Sequence, residues 1–330
     1  MAGLRSAPVL IDTDPGVDDA LALGIALRAP ELQVVGMTTV CGNVPVEQAT
    51  RNLYRVLGAL GMHRSLPIGQ GAARPLRRRL VTATHVHGRD GLGELDRFLE
   101  QDGRPRYPRE RVPARLPSAL EVWARCVRRC PGGVTLVTLG PLTNLAQALE
   151  RAPLVVRGFR AIIAMGGAIG VSGNVTAAAE FNIYADPDAA HRVLTAGLPL
   201  TLVPLDVTER VATTGAGIAR LTRHSRAPLA QLFRDATGCA LAFAKRVEGR
   251  ARFPFHDPLA VAVAIDPSLV RCQRLPVAVE TRGRVTRGTT VADRRSRVSC
   301  PALQTVQVAL EVDAARARAF LTERICPVSS

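Results

Sequence analysis

Residues 9–19 read Val-Leu-Ile-Asp-Thr-Asp-Pro-Gly-Val-Asp-Asp, so four carboxylates, Asp12, Asp14, Asp18 and Asp19, fall within eight residues between a β-branched apolar run and a second apolar segment. The first run reads as a strand. The segment 18–28 is apolar nearly all round, which predicts a buried helix. In open α/β sheets ligands collect outside the carboxyl ends of the strands, where this acidic turn must lie. A single acidic side chain there can cap the helix for about 0.3–1 kcal/mol, but four unpaired carboxylates repel one another. A hard divalent cation relieves the repulsion, and an all-oxygen set without nearby Cys or His favours Ca²⁺ or Mg²⁺ over zinc. Asp18 and Asp19 are helix neighbours whose side chains diverge by roughly 100°, so one can face metal and the other substrate.

The same alternation continues downstream. Strand-like segments at 9–13, 34–40, 134–138, 161–165 and 200–203 are interleaved with helical ones at 18–28, 46–60, 119–129, 144–151 and 187–196. That order predicts βαβ units and a mostly parallel sheet flanked by helices. A length of 330 residues suits one α/β domain spanning 1–330. Two stretches, 72–107 and 208–255, read as insertions near an active site, the second with little strand signal.

The formal charge of +15 raises the question of a nucleic-acid partner. The arginines are dispersed, Lys245 is the sole lysine, and no basic face with aromatic platforms is evident, so none is expected. Cys41, Cys126, Cys130, Cys239, Cys272, Cys300 and Cys326 lack paired C-x-x-C spacing and are expected as free thiols. Residues 1–8 are too short and weakly apolar for a secretory signal, and no apolar run spans a bilayer, so the expectation is a cytoplasmic protein without membrane contact.

Further motifs occur in order: Gly42-Asn43, His-Gly-Arg-Asp-Gly-Leu-Gly at 87–93, Leu-Gly-Pro-Leu-Thr-Asn at 139–144, Met165-Gly166-Gly167, Glu180-Phe181-Asn182, Ala185-Asp186-Pro187 and His256-Asp257-Pro258. With the acidic string at 12–20 they resemble the inosine/uridine-preferring nucleoside hydrolase family across most of the chain. The resemblance implies a Rossmann-like nucleoside hydrolase fold with its site at the C-terminal ends of the strands. It implies hydrolysis of ribonucleosides to ribose and free base in nucleoside salvage, and a homodimer or homotetramer.

By the same resemblance Asp14, Asp19, the backbone carbonyl of Leu139 and Asp257 bind Ca²⁺, with Asp12 supporting them from behind. Asp14 would take the proton of a calcium-bound water. Asp18, Asn43, Met165, Asn174, Glu180 and Asn182 would surround the ribose, and His87 is a possible loop contact. His256, next to Asp257, should lie near the base, where an imidazole can donate a proton to a ring nitrogen. Phe233, Phe243, Phe253 and Phe255 are candidates to stack a base. Base preference is not readable.

Two rivals share parts of the pattern. Asp12-Thr13-Asp14 after a strand also resembles the nucleophile motif of haloacid-dehalogenase phosphatases, which form an aspartyl phosphate. That chemistry calls for a later lysine, for which only Lys245 is available, and it leaves Asp18, Asp19 and the His256-Asp257-Pro258 motif without a task. A ribose- or nucleoside-binding protein without turnover would present the same pocket.

Overall fold

The computed structural model describes residues 6–62, 66–295 and 304–327. Among the described residues there are eleven strands: β1 (Ala7–Thr13), β2 (Leu32–Thr39), β3 (Ile68–Gln70), β4 (Thr135–Thr138), β5 (Ala161–Met165), β6 (Leu200–Val203), β7 (Ala212–Thr214), β8 (Arg252–Pro254), β9 (Val270–Val279), β10 (Thr290–Ala292) and β11 (Thr305–Val312). Nine of them form one sheet in the order β10-β9-β11-β6-β5-β4-β1-β2-β3, and β7 pairs with β8 apart from it. From β3 to β11 along that order every pairing is parallel, while β9 runs antiparallel to β11 and β10 antiparallel to β9.

Side-chain alternation along the central strands explains why they read as continuous apolar runs. Val9, Ile11, Val137 and Ile163 pack into one core with the helices Val17–Arg28 and His256–Ile265. Leu10, Leu136 and Ile162 enter the other, with Trp123, Leu145 and Val193 of the helices Ala119–Arg129, Thr143–Arg151 and Pro187–Leu194. A parallel sheet covered on both faces needs apolar residues at both parities. The helix Val17–Arg28 is buried from Val17 to Ala26 with only Asp18 partly open, as its all-round apolarity requires.

The antiparallel edge of β9, β10 and β11 lies beyond the strands expected from sequence, and the 208–255 stretch holds β7 and β8 despite its weak strand signal. Both three-residue strands are too short to show a period. Cys41, Cys126, Cys130, Cys239, Cys272 and Cys326 are free, and Cys300 lies outside the described residues, as do residues 1–5. Among the described residues no helix is long and apolar enough to cross a membrane.

Candidate active site

Strand β1 sits between β2 and β4, so the chain turns one way to β2 and β3 and then the other way through β4, β5 and β6. Such a reversal opens a crevice at the carboxyl ends of the two central strands. Leu139 follows β4 and donates its N–H to the Asp12 carbonyl at 2.8 Å, which brings the two strand ends together beneath the acidic turn.

Asp14 is fully buried, and only one of its carboxylate oxygens has a protein partner. Oδ2 accepts the Asn43 N–H at 2.6 Å, while Oδ1 is buried with none. Glycines make the room. A Cβ at Gly42 would fall 2.0 Å from Asp14 Oδ2, and one at Gly140 2.5 Å from Oδ1. Asp19, also buried, accepts from the Thr13 hydroxyl on one oxygen and from Gly16 N–H at 2.9 Å and Asn43 Nδ2 at 3.1 Å on the other. One carboxylate oxygen from each of Asp18, Asp19 and Asp257 lies within 4.8 Å of the others. Asp257 comes from the first turn of the helix His256–Ile265, which packs against Val17–Arg28.

Burial pushes Asp14 well above the usual carboxylate range, and the charge of Asp19 pushes it further. Burial, then repulsion from Asp18, Asp19 and Asp14, does the same to Asp257. Asp18 and Asp19 are raised as well, again chiefly by burial. Clustered carboxylates that resist ionisation, joined by an orphaned buried oxygen, form a donor set that fits a hard divalent cation. Asp18 thus lies in the tightest acidic group although the resemblance gives it to ribose, and Asp14 lies beside that group.

Behind the cluster, Asp12 Oδ1 accepts from Thr38 Oγ1 at 2.6 Å and Asn144 Nδ2 at 2.8 Å, and Trp123 Nε1 donates to Thr38 Oγ1 at 2.9 Å. Burial pushes Asp12 up to about 7. The Asn144 of the Leu-Gly-Pro-Leu-Thr-Asn motif therefore braces the site from outside the cavity. Asp186 has a structural task as well, accepting Leu76 N–H, the Thr143 hydroxyl and Ala189 N–H, which ties down the start of the 72–107 stretch.

A cavity of about 490 Å³ opens above the acidic floor. Asp18, Asn43, Leu139, Met165, Asn174, Glu180, Asn182, His87, His256 and Asp257 all line it. Asn182 Nδ2 donates to the Leu139 carbonyl at 2.7 Å and contacts Met165 Sδ at 3.4 Å. A carbonyl has two lone pairs, so Leu139 keeps one for a cation. Glu180 caps the short helix Phe181–Ala185, and its two oxygens accept Asn182, Gly167 and Ile183 N–H groups. Asn174 is exposed at the mouth, where its Oδ1 accepts Phe181 N–H at 3.0 Å.

Both histidines expected at the site are there. Nδ1 of His87 accepts Val17 N–H at 3.2 Å and lies 3.9 Å from Asp18 Oδ1, and burial pushes this imidazole down to about 4, so it is neutral at pH 7 with its proton on Nε2. His256 bonds Thr208 Oγ1 through Nδ1 at 2.8 Å, and its Nε2 lies 3.7 Å from Glu209 Oε1. Glu209 is itself paired with Arg252. His85, Glu209 and Arg252 line the cavity and went unread in the sequence, although His85 stands two residues before His87 and Glu209 follows β6 closely. Of the four phenylalanines, Phe233 and Phe255 are wholly buried and pack against Phe253, which itself lines the cavity, and Phe243 lines it edge-on to His85 with ring centroids 5.3 Å apart.

A cavity with buried carboxylates at the switch point of a mostly parallel sheet defines an α/β protein with a ligand site at the carboxyl ends of its strands. The chain belongs to the family described as inosine-uridine preferring nucleoside hydrolase, which matches residues 9–319. It is thereby a hydrolase of N-glycosyl compounds, of a metal-dependent family. It is 40% identical over 308 residues to the non-specific ribonucleoside hydrolase RihC of Escherichia coli, covering 93% of this chain and 94% of that one. Identity to the pyrimidine-specific ribonucleoside hydrolase RihA of Citrobacter koseri is 38% over 287 residues, with 87% and 88% covered. The solved structure of a plant nucleoside hydrolase superposes with a TM-score of 0.89 at 34% identity, covering 98% of this chain and all of the other.

Proposed function

We propose that the protein hydrolyses ribonucleosides to ribose and free base with Ca²⁺ at the acidic floor. The observation that carries this reading is the orphaned Asp14 Oδ1, a buried carboxylate oxygen beside a three-carboxylate group of which Asp18 and Asp257 line a cavity of nucleoside size class. Asp14, Asp19, Asp257 and the Leu139 carbonyl would hold the ion, with Asp18 free to turn to either the ion or a ribose hydroxyl. When bound, Ca²⁺ supplies positive charge that acidifies a water and orients vicinal hydroxyls.

The chain's own residues do the rest. Asp14 Oδ1, free of protein donors, accepts the proton of the water that attacks the anomeric carbon. Glu180 and Asn182 are held by backbone groups and Asn43 by the Asp19 carboxylate; all three position the sugar, and their fixed dipoles and charges favour the positive character of a ribosyl transition state. As the bond to the base breaks, negative charge builds on the base, and His256 is placed to return a proton to it. Bond and proton counts balance: water adds hydroxyl to C1′ and hydrogen to the base. Leaving-group protonation by a histidine fits the Thr208 bond at Nδ1, which leaves Nε2, 3.7 Å from Glu209 Oε1, as the nitrogen that donates. The phosphatase rival is disfavoured because Asp12 Oδ1 is taken up by Thr38 and Asn144, and the sole lysine, Lys245, is exposed and does not line the cavity.

The test is product analysis on inosine, adenosine, guanosine, uridine, cytidine and their 2′-deoxy forms in phosphate-free buffer. Free ribose and free base in equal amounts from ribonucleosides alone support the reading. Bound but unchanged nucleosides would favour a binding protein.

A further inference from the structure

Resting on the reading of the acidic floor as a Ca²⁺ site, we propose that Asn52 is a positioning residue that clamps the His87 loop to the metal-binding turn and thereby links metal binding to the closure of that loop. Asn52 is buried on the helix Val46–Ala59. Its Nδ2 donates to the Pro15 carbonyl at 3.0 Å and to the Asp90 carbonyl at 2.9 Å. Pro15 stands between Asp14 and Gly16, and the Gly16 N–H holds Asp19 Oδ2. Asp90 organises the loop: its carboxylate accepts the N–H groups of Leu92, Glu94 and Leu95, and Gly93 N–H returns to the His87 carbonyl at 2.7 Å. One amide thus joins the segment that carries the proposed ligands to the segment that places His87 in the cavity wall.

The direction of that amide is set by its neighbours on the same helix, at the i, i+3, i+4 spacing of one face. Arg51 donates from Nε and Nη2 to Gln48 Oε1 at 3.1 and 2.9 Å, and a guanidinium can only donate. Gln48 therefore turns Nε2 toward Asn52 Oδ1, at 2.7 Å, which leaves both Nδ2 hydrogens of Asn52 for two carbonyls that can only accept. Reversing either amide would set donor against donor. The loop backbone also lies directly on the clamp, since a Cβ at Gly91 would fall 2.8 Å from Asn52 Nδ2 and 2.7 Å from Val44 Cγ1. The bond from Val17 N–H to His87 Nδ1, at 3.2 Å, is a second and longer tie between the same two segments. A cation that draws the carboxylates together stiffens the turn, and the Asn52 amide carries that restraint to the loop. Linkage makes the effect reciprocal, so a loop released from the turn weakens the metal site by the same factor.

The test combines calorimetric titration of the full chain with Ca²⁺ and hydrogen exchange at amides 91–95, with and without Ca²⁺, in wild type, Asn52→Leu and Gln48→Met. In wild type Ca²⁺ is expected to slow exchange of these amides about 10-fold, and Asn52→Leu to abolish that increment and weaken Ca²⁺ binding about 10-fold, within the usual range of coupling between sites. Gln48→Met, at a half-buried position where Met keeps the helix propensity, should show the same losses in smaller measure and serves if Asn52→Leu does not fold. A residue that served folding alone would speed exchange equally with and without Ca²⁺. A Ca²⁺-dependent increment and a Ca²⁺ affinity that both survive in the folded variants would overturn this inference and leave the ribohydrolase reading standing. Wild-type protein that binds no Ca²⁺ would overturn the calcium reading, and this inference with it.

Discussion

The Asn43 N–H holds Oδ2 of Asp14 at 2.6 Å and leaves Oδ1, equally buried, with no donor from the protein. The carboxylate is therefore fixed in orientation with one oxygen spare. Asp14→Asn keeps the shape but replaces an acceptor-only group by a weak base. We expect kcat to fall by about 10²–10⁴-fold, the usual range for a general base. Circular dichroism should remain unchanged. Activity within a few-fold of wild type would remove Asp14 from its role.

The space around that carboxylate depends on two missing side chains. A methyl at Gly42 would fall 2.0 Å from Asp14 Oδ2 and 2.7 Å from Pro141 Cδ, so Gly42→Ala must displace Asp14. Displacing a ligand's support typically costs about 10–100-fold in metal affinity. Calorimetric titration with Ca²⁺ should show a loss of that order, and an unchanged affinity would mean that the acidic cluster does not hold the ion through Asp14.

Stability of the metal-free protein should fall as pH rises. Burial and mutual repulsion raise the folded-state values of Asp14, Asp19 and Asp257, and burial raises Asp12 to about 7. A group raised in the folded state binds more protons folded than unfolded, so the folded state is favoured at low pH and loses that advantage as pH climbs from about 4 through the raised value. Melts in chelator should show a Tm declining between pH 5 and 8. Calcium at about 100 times its Kd should restore about 2.7 kcal/mol at neutral pH. A Tm that rises with pH in chelator would contradict the buried-cluster account.

His256 should matter in proportion to how badly the leaving group needs a proton. His256→Ala is expected to lower kcat on natural nucleosides by about 10²–10⁴-fold. A 4-nitrophenyl riboside, whose phenolate leaves without protonation, should lose far less. Equal losses on both would assign His256 to positioning alone.

Thr38 joins Asp12 to Trp123, and its hydroxyl has no apolar substitute. Thr38→Val leaves the buried Trp123 Nε1 without an acceptor and removes one donor from Asp12. Leaving a buried polar group unsatisfied costs about 1–3 kcal/mol, readable as a shift in the denaturant midpoint. No shift would show that the network is dispensable.

How far these features were readable depended on local chemistry. The central strands and the helix Val17–Arg28 were visible because double-sided burial forces unbroken apolar runs, and the acidic string pointed to the candidate site because four carboxylates within eight residues have no cheap structural explanation. The strands β9 and β11 escaped attention although Val306 and Val308 alternate with an exposed Gln307, a short period-2 signal interrupted where Ala309 is buried beside Val308. Glu209, Arg252 and His85 were missed for a different reason. Their significance lies in convergence from three distant segments on one cavity, which no single stretch of sequence displays. Phe233 and Phe255, read as possible base platforms, turned out to fill the core, because an aromatic ring looks the same in sequence whether it faces a ligand or a neighbour.

The most direct measurement is ribose release from a ribonucleoside after calcium removal and re-addition. The account predicts that chelation abolishes release, that stoichiometric Ca²⁺ restores it, and that Asp14→Asn is not restored by any Ca²⁺ concentration. Undiminished release in the chelated enzyme, with calcium absent by elemental analysis, would contradict it.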